Sequence, residues 1–168
     1  MKKWTRLFCL SAIFVGVNTF AAEVVTVQMF KTTSSGQGAS VGTITFEDGK
    51  AGLMINPNLN GMPPGVHGFH FHQNPSCNNL GEDAGDHLDP ASTHKHLGPY
   101  RSQGHLGDLP VLIILNDGQN HKSLVAPRLK LADIKNHAVI IHEGEDNYAD
   151  KPKKAGGGGA RFACGVVK

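Results

Sequence analysis

Aromatic residues make up only 7% of the 168-residue chain, charged residues only 18%, and cysteine appears three times. A chain so sparing in aromatics, yet holding 21 glycines, reads as a turn-rich β protein rather than a helical one. No segment repeats, which sets aside solenoids and propellers. No apolar run reaches the roughly 20 residues that cross a bilayer as a helix. The length suits one domain with a single core.

The apparent basic excess is also a shortage once the N-terminus is read. Lys2, Lys3 and Arg6 precede a mostly apolar run from Leu7 to Val17, and Thr19-Phe20-Ala21 offers small residues for cleavage. That is the pattern of a secretory signal peptide over residues 1–21, with the mature domain at 22–168. Cys9 sits too early, after Arg6-Leu7-Phe8, for a lipid-attachment site. Removing Lys2, Lys3 and Arg6 lowers Lys+Arg from 16 to 13 against 14 acidic residues, a net charge of −1. No argument for nucleic acid survives, and none for a membrane after signal removal. Two cysteines remain, Cys77 and Cys164, and an even number in an exported chain reads as a disulfide.

Alternating β-rich segments predict eight strands. They run over Glu23–Lys31, Ser40–Phe46, Ala51–Ile55, Val66–His72, Val111–Leu115, Lys122–Ala126, His137–His142 and Phe162–Val167, with a helical turn at Leu131–Lys135. Short strands joined by tight turns argue for an all-β antiparallel Greek-key sandwich or barrel. Two stretches break the pattern: 37 residues from Gln73 to Leu109 and 18 from Glu143 to Ala160. Loops of that length in a compact domain are functional or disordered. The first cannot fold onto a sheet by hydrophobic burial, so staples are expected.

Three histidines fall within Gly65-Val66-His67-Gly68-Phe69-His70-Phe71-His72. Alternation on a strand puts Gly68, His70 and His72 on one face and His67, Phe69 and Phe71 on the other. Two imidazoles at i and i+2 converge as two ligands of one metal ion do, while the two rings opposite supply a core. Alone, the same strand reads equally well as a surface strand with solvated histidines. Further on, His87, His96, His105 and Asp108 supply three imidazoles and a carboxylate, a closed tetrahedral zinc set. His142, added to His70 and His72, gives an imidazole-rich site suited to copper.

The motifs His67-Gly68-Phe69-His70-Phe71-His72, Gly85-Asp86-His87, Lys95-His96-Leu97-Gly98-Pro99, His105-Leu106-Gly107-Asp108-Leu109, Ile141-His142-Glu143 and Arg161-Phe162-Ala163-Cys164-Gly165-Val166 follow one another along the chain. Together they resemble the copper–zinc superoxide dismutases, and the likeness covers essentially the whole mature domain. His87-Leu88-Asp89-Pro90 and the run Gly156–Gly159 before Arg161 look like the bacterial, periplasmic branch. The resemblance implies an oxidoreductase that dismutes the superoxide anion to dioxygen and hydrogen peroxide in the periplasm, protecting the envelope from extracytoplasmic superoxide. It implies one copper and one zinc per subunit. Copper would take His70, His72, His87 and His142; zinc would take His87, His96, His105 and Asp108.

His87 is then the shared ligand and, with Arg161 as anion guide, the catalytic pair. In the family cycle His87 alternates between metal ligand and proton carrier, a change that imidazole suits. Asp146 matches the carboxylate that links His70 to His96 from behind, and Cys77–Cys164 matches the family disulfide. The position of His67 is that of a structural histidine bonded to backbone. His94, two residues before His96, is the rival zinc ligand that the motif passes over, and His121 and His137 are expected in solvent. Only 14 residues separate His72 from His87, a short span for the branch in a region that contributes to its dimer contact. Monomer and homodimer both stay open. A metal-free interaction domain would lack several ligands, a metal store would not need Arg161, and an electron-transfer copper protein would need a cysteine ligand.

Overall fold

The computed structural model describes residues 22–120 and 122–168, so the expected signal peptide, Cys9 and His121 lie outside the described residues. Among the described residues there are nine strands: β1 Val24–Thr33, β2 Gly36–Gly49, β3 Gly52–Leu59, β4 Gly65–His67, β5 Phe69–His72, β6 Leu112–Ile114, β7 Leu124–Ala126, β8 Ala138–His142 and β9 Arg161–Val166. One four-residue helix, α1 (Leu131–Ile134), falls within the expected helical turn. All strand pairings are antiparallel. Seven strands form a curled sheet in the order β5-β8-β9-β1-β2-β3-β7, and β4 pairs with β6 in a second, two-stranded sheet. β1, first in sequence, thus lies between β9 and β2, so the last strand returns to pair beside the first, as in a Greek key.

The ninth strand comes from a break at Gly68. Up to His67 the histidine strand pairs with β6, whereas from Phe69 it pairs with β8. Between them, the Gly68 carbonyl accepts from the His142 amide and the Gly68 amide donates to Gly144, both at 2.8 Å. The strand therefore switches sheets in the middle of the motif and carries His70 and His72 around a corner of the barrel.

Alternation builds the core. Val27 and Met29, Ile44 and Phe46, Leu53 and Ile55, Phe69 and Phe71, and Val139 and Ile141 enter as i, i+2 pairs and form one cluster. Phe46 and Phe71 meet with ring centroids 5.4 Å apart. Burying each such side chain is worth about 1.5–3 kcal/mol, so β5 and β8 are anchored before any metal ligand is considered. β8 is buried along its whole length, because Ala138 and Ile140 form a smaller cluster with Cys77, Ala84 and Cys164.

The long loop is held by more than staples. Leu88 and Leu109 are buried members of the main core, so hydrophobic burial does contribute where the sequence pattern excluded it. The disulfide Cys77–Cys164 spans 87 positions and ties the loop to β9. Backbone bonds from Leu88 to the Phe71 carbonyl (2.8 Å) and from Phe71 to the Gly107 carbonyl (2.9 Å) lay two loop segments against β5. His87 and Asp108 form single-residue bridges there, opposite His72 and His70 respectively. Among the described residues no helix is long and apolar enough to cross a membrane.

Candidate metal centre

His70, His72 and His142 come from the paired neighbouring strands β5 and β8, whose inner faces hold the aromatic and aliphatic core. Their backbones are therefore fixed from below by packing. The rings are fixed from behind by hydrogen bonds that also decide the tautomer. His70 donates from Nε2 to Asp146 Oδ2 (2.7 Å), His72 from Nδ1 to the Gly85 carbonyl (2.8 Å), and His142 from Nδ1 to the Gly159 carbonyl (3.1 Å). Carbonyl and carboxylate oxygens only accept, so in each ring the proton sits on the bonded nitrogen and the other carries a lone pair. Those other nitrogens, His70 Nδ1, His72 Nε2 and His142 Nε2, are buried without a hydrogen-bond partner. Leaving such an atom unpaired costs about 1–3 kcal/mol each. Convergent, unprotonated and buried, they are what a metal ion requires.

The same logic builds a second group. His96 donates from Nε2 to Asp146 Oδ1 (2.8 Å), and its Nδ1 is a buried atom without a hydrogen bond, as is His105 Nδ1. His87 Nδ1, His96 Nδ1 and His105 Nδ1 lie 3.0, 3.0 and 3.3 Å from a single oxygen, Asp108 Oδ1. Two of these nitrogens, on His96 and His105, stand against that oxygen without forming a hydrogen bond. Ligands about 2.0–2.1 Å from zinc at the corners of a tetrahedron lie roughly 3.3–3.4 Å apart, close to what is seen. Asp108 Oδ2 faces away and accepts from the Gly98 amide at 3.1 Å.

Among the described residues two buried quartets have ligand atoms within 4.8 Å of one another: His70, His72, His87 and His142, and His70, His87, His96 and Asp108. The second contains His70 where the sequence expectation has His105. His70 already directs its Nε2 to Asp146, and its stacking on His87, with centroids 4.0 Å apart, makes it a close neighbour of the second quartet. His105 places Nδ1 3.3 Å from the same Asp108 Oδ1, beside the second quartet. His87 belongs to both quartets.

Burial and charge tune these groups in opposite directions. Burial, with the neighbouring His87, holds His70 and His72 well below the ordinary imidazole range, and burial pushes His142 down to about 4. These rings stay neutral near pH 7 and ready to ligate. For His96 burial acts the same way but is outweighed by Asp108 and Asp146, which raise it to about 9. Burial works against the ionised carboxylates too, yet the histidine bonds dominate and hold Asp108 and Asp146 well below the usual carboxylate range. The second group is thus an anionic cradle, the first a neutral one.

Arg161, at the start of β9, shares a cleft with His72, His87, His142, Lys154 and Glu82. Its guanidinium donates to the Gly85 carbonyl at 2.8 Å and to the Gly81 carbonyl, so backbone holds it at the rim. Residues 40–167 match the family model for copper/zinc superoxide dismutase (SODC). The superoxide dismutase [Cu-Zn] 1 of Salmonella typhimurium is 48% identical over 175 residues, covering 99% of both chains. The Cu/Zn superoxide dismutase from Brucella abortus superposes with a TM-score of 0.83 at 46% identity, over 87% of this chain and 100% of that one. The monomeric copper, zinc superoxide dismutase from Salmonella enterica superposes at 0.77 with 47% identity, again over 87% and 100%.

This chain belongs to the copper/zinc superoxide dismutase family. It is accordingly an oxidoreductase whose cofactors are copper and zinc, and both donor sets suit them: imidazoles alone for copper, imidazoles with carboxylate for zinc. Of the remaining histidines, His67 bonds the His142 and Pro63 carbonyls at 2.7 and 2.9 Å, a backbone tie as expected of this dismutase position. His94 is exposed, outside both quartets. His137 corrects the expectation of a solvated ring. It is partly buried, and its Nδ1 bonds the Gln73 and His72 carbonyls at 2.8 and 3.0 Å, joining the start of β8 to the end of β5.

Sequence reasoning passed over three residues of the dismutase site. Arg128 clamps the long loop through the carbonyls of His105 (3.0 Å) and Gly104 (2.9 Å). Glu82 lies 3.6 Å from Arg161 Nε and opposes its charge. Tyr148 follows Asp146 by two positions and fastens the second loop. None carries a motif; a lone aromatic inside an 18-residue loop was the available signal for Tyr148.

Proposed function

We propose that the chain dismutes superoxide at a copper ion held by His70, His72, His87 and His142, beside a structural zinc held by His87, His96, His105 and Asp108. The observation that carries this reading is the set of buried, unpaired ring nitrogens on His70, His72, His96 and His142, whose opposite nitrogens keep their protons through carbonyl or carboxylate acceptors. Copper, when bound, supplies the one-electron exchange that oxidises one superoxide to dioxygen and reduces the next to hydrogen peroxide. The protein does the rest. His70, His72 and His142 are pre-oriented and lose no rotational freedom on ligation. His87, with Nδ1 committed beside Asp108 Oδ1, has Nε2 left to hold and deliver a proton at the reacting side. Arg161, fixed by two carbonyls, presents a positive charge in the same cleft and draws in the anion. Asp146, bonded to both His70 and His96, makes the orientation of the two sites interdependent.

Residues 1–21 are read as a signal peptide that delivers the domain to the periplasm, where it would consume superoxide at the envelope. The disulfide supports an oxidising compartment. A homodimer is one assembly that the bacterial branch suggests; the relative from Salmonella enterica at 47% identity is monomeric.

The deciding experiment is superoxide consumption by protein of measured copper and zinc content, with the intact mass of exported material. Turnover that scales with copper occupancy, and a mature chain starting near Ala22 without free thiols, are expected. Stoichiometrically loaded protein that leaves superoxide at its spontaneous decay rate would reduce the centre to a metal store. Retention of Met1 would overturn the export reading.

A further inference from the structure

We infer that Tyr148 is a positioning residue for the zinc half of the centre, clasping the two long loops together behind Asp108 and Asp146. It uses three separate parts of itself. Its backbone amide donates to Asp146 Oδ1 at 2.7 Å, the oxygen that also takes the His96 Nε2 proton. Its hydroxyl accepts from the Val111 amide at 2.8 Å, three residues beyond Asp108 where the first loop leaves for β6. Its ring lies on Gly98, so close that a Cβ there would sit 2.7–2.8 Å from Tyr148 Cγ, Cβ and Cδ1.

The Gly98 contact matters because the Gly98 amide donates to Asp108 Oδ2 at 3.1 Å. The ring therefore presses on the peptide that aims the Asp108 carboxylate, while the amide steadies the carboxylate that aims His96. Both carboxylates are oriented from one residue that is itself not a ligand. Tyr148 adopts φ +55, a left-handed conformation that L side chains seldom enter. Such a conformation persists where surrounding contacts over-determine it, and here three do. Burial pushes the phenol up, so the hydroxyl stays neutral as acceptor for Val111.

The inference rests on the zinc assignment above, and its test separates the two. Zinc-loaded wild type, Tyr148→Phe, Tyr148→Ala and, as a control, Tyr100→Phe on an exposed tyrosine are transferred into a colorimetric chelator, and zinc release is timed. In parallel, cobalt replaces zinc and the visible d–d bands report the symmetry of the site. Loss of the hydroxyl should speed release severalfold. Loss of the ring should speed it about 10–100-fold, the range for partners that orient ligands, and should shift the cobalt bands. Tyr100→Phe should match wild type. If Tyr148→Ala fails to fold, Tyr148→Phe decides, since it keeps the ring and the bulk. Release rates and cobalt spectra equal to wild type in the folded Tyr148 variants would overturn the inference. A wild type that takes up neither zinc nor cobalt would overturn the zinc assignment and the inference with it.

Discussion

His72 and Arg161 donate to one acceptor, the Gly85 carbonyl, each at 2.8 Å. A ring of the all-histidine quartet and the cation at the cleft rim are thus registered against the same atom. Any shift of the disulfide-bearing segment moves both together, so Arg161 keeps its place relative to His72.

Replacement of Arg161 tests that guide. A charge about 6 Å from an anion is worth roughly 0.7 kcal/mol in water and 3 kcal/mol at an effective dielectric near 20. Arg161→Ala should therefore lower kcat/KM by a factor of about 3 to 100 at equal copper content, and Arg161→Glu by more. Glu82, exposed and opposing, should act weakly the other way: Glu82→Gln should raise kcat/KM up to about threefold at low salt. Activity measured against ionic strength distinguishes steering, which salt screens over roughly 8–10 Å. Overlapping curves for all four proteins would make Arg161 a loop cap.

The two metals should separate by mutation. His142→Ala removes a nitrogen from the copper quartet alone and should abolish dismutation while zinc stays bound. Asp108→Ala removes the oxygen around which three histidines gather, so the first loop should loosen and the melting temperature fall, because structural zinc contributes folding energy. Metal analysis with calorimetry checks both. Normal turnover of His142→Ala at full metal content would refute the copper assignment.

Gly156 has φ +76, and a Cβ there would lie 2.0 Å from Asp146 Oδ1 and 2.8 Å from His96 Nε2. Gly156→Ala must therefore displace the carboxylate bridge and crowd the back of the His96 ring, while leaving every proposed ligand in the sequence. Affinity for both metals should fall by about 10–100-fold, as for loss of a partner that orients ligands. Competition against chelators of graded strength measures it. Loss of zinc alone would show that Asp146 does not couple the two sites.

Proton release distinguishes the two cradles. In the metal-free fold His96 is raised to about 9, so near pH 7.5 it carries a proton that zinc must expel. His142, lowered to about 4, is already neutral and releases none to copper. Zinc uptake at pH 7.5 should release about one proton, read by titration calorimetry in buffers of different ionisation enthalpy. The same shift gives an acid limb. His142 titrates near 6.5 unfolded and about 4 folded, so its unfolded state binds more protons between those values. Its contribution to stability is present above pH 6.5 and is lost as pH falls toward 4. Melting temperatures of chelator-treated protein across that window check the sign.

Strand parity was the most legible feature, because it needs only alternation: His70 and His72 fall on one face with Phe69 and Phe71 opposite. The break at Gly68 was not legible, since a glycine within a strand is compatible with an unbroken ladder. Only the competing partners β6 and β8 reveal the switch of sheets. In the first loop the ligand types could be read along the chain, but their convergence depends on Leu88 and Leu109 reaching the core, and an irregular segment has no period to betray that. His137 was misjudged for a similar reason: its partners, the His72 and Gln73 carbonyls, lie 64–65 positions away and belong to backbone, which carries no residue-specific signal.

The disulfide segment carries a consequence for how such proteins can vary in length. Cys77 is bonded to β9, and the carbonyls of Gly81 and Gly85 are gripped by Arg161, so the chain is pinned on both sides of Asn78, Asn79 and Leu80. Leu80, 52% exposed, stands at the tip between the pins. Residues added there would bulge into solvent, where exposed loop tips accept insertions, and the strain would stop at the anchors. The stretch between His72 and His87 can therefore lengthen or shorten while His87 keeps its address, and the surface this segment offers to other molecules is free to diverge from the chemistry beneath it.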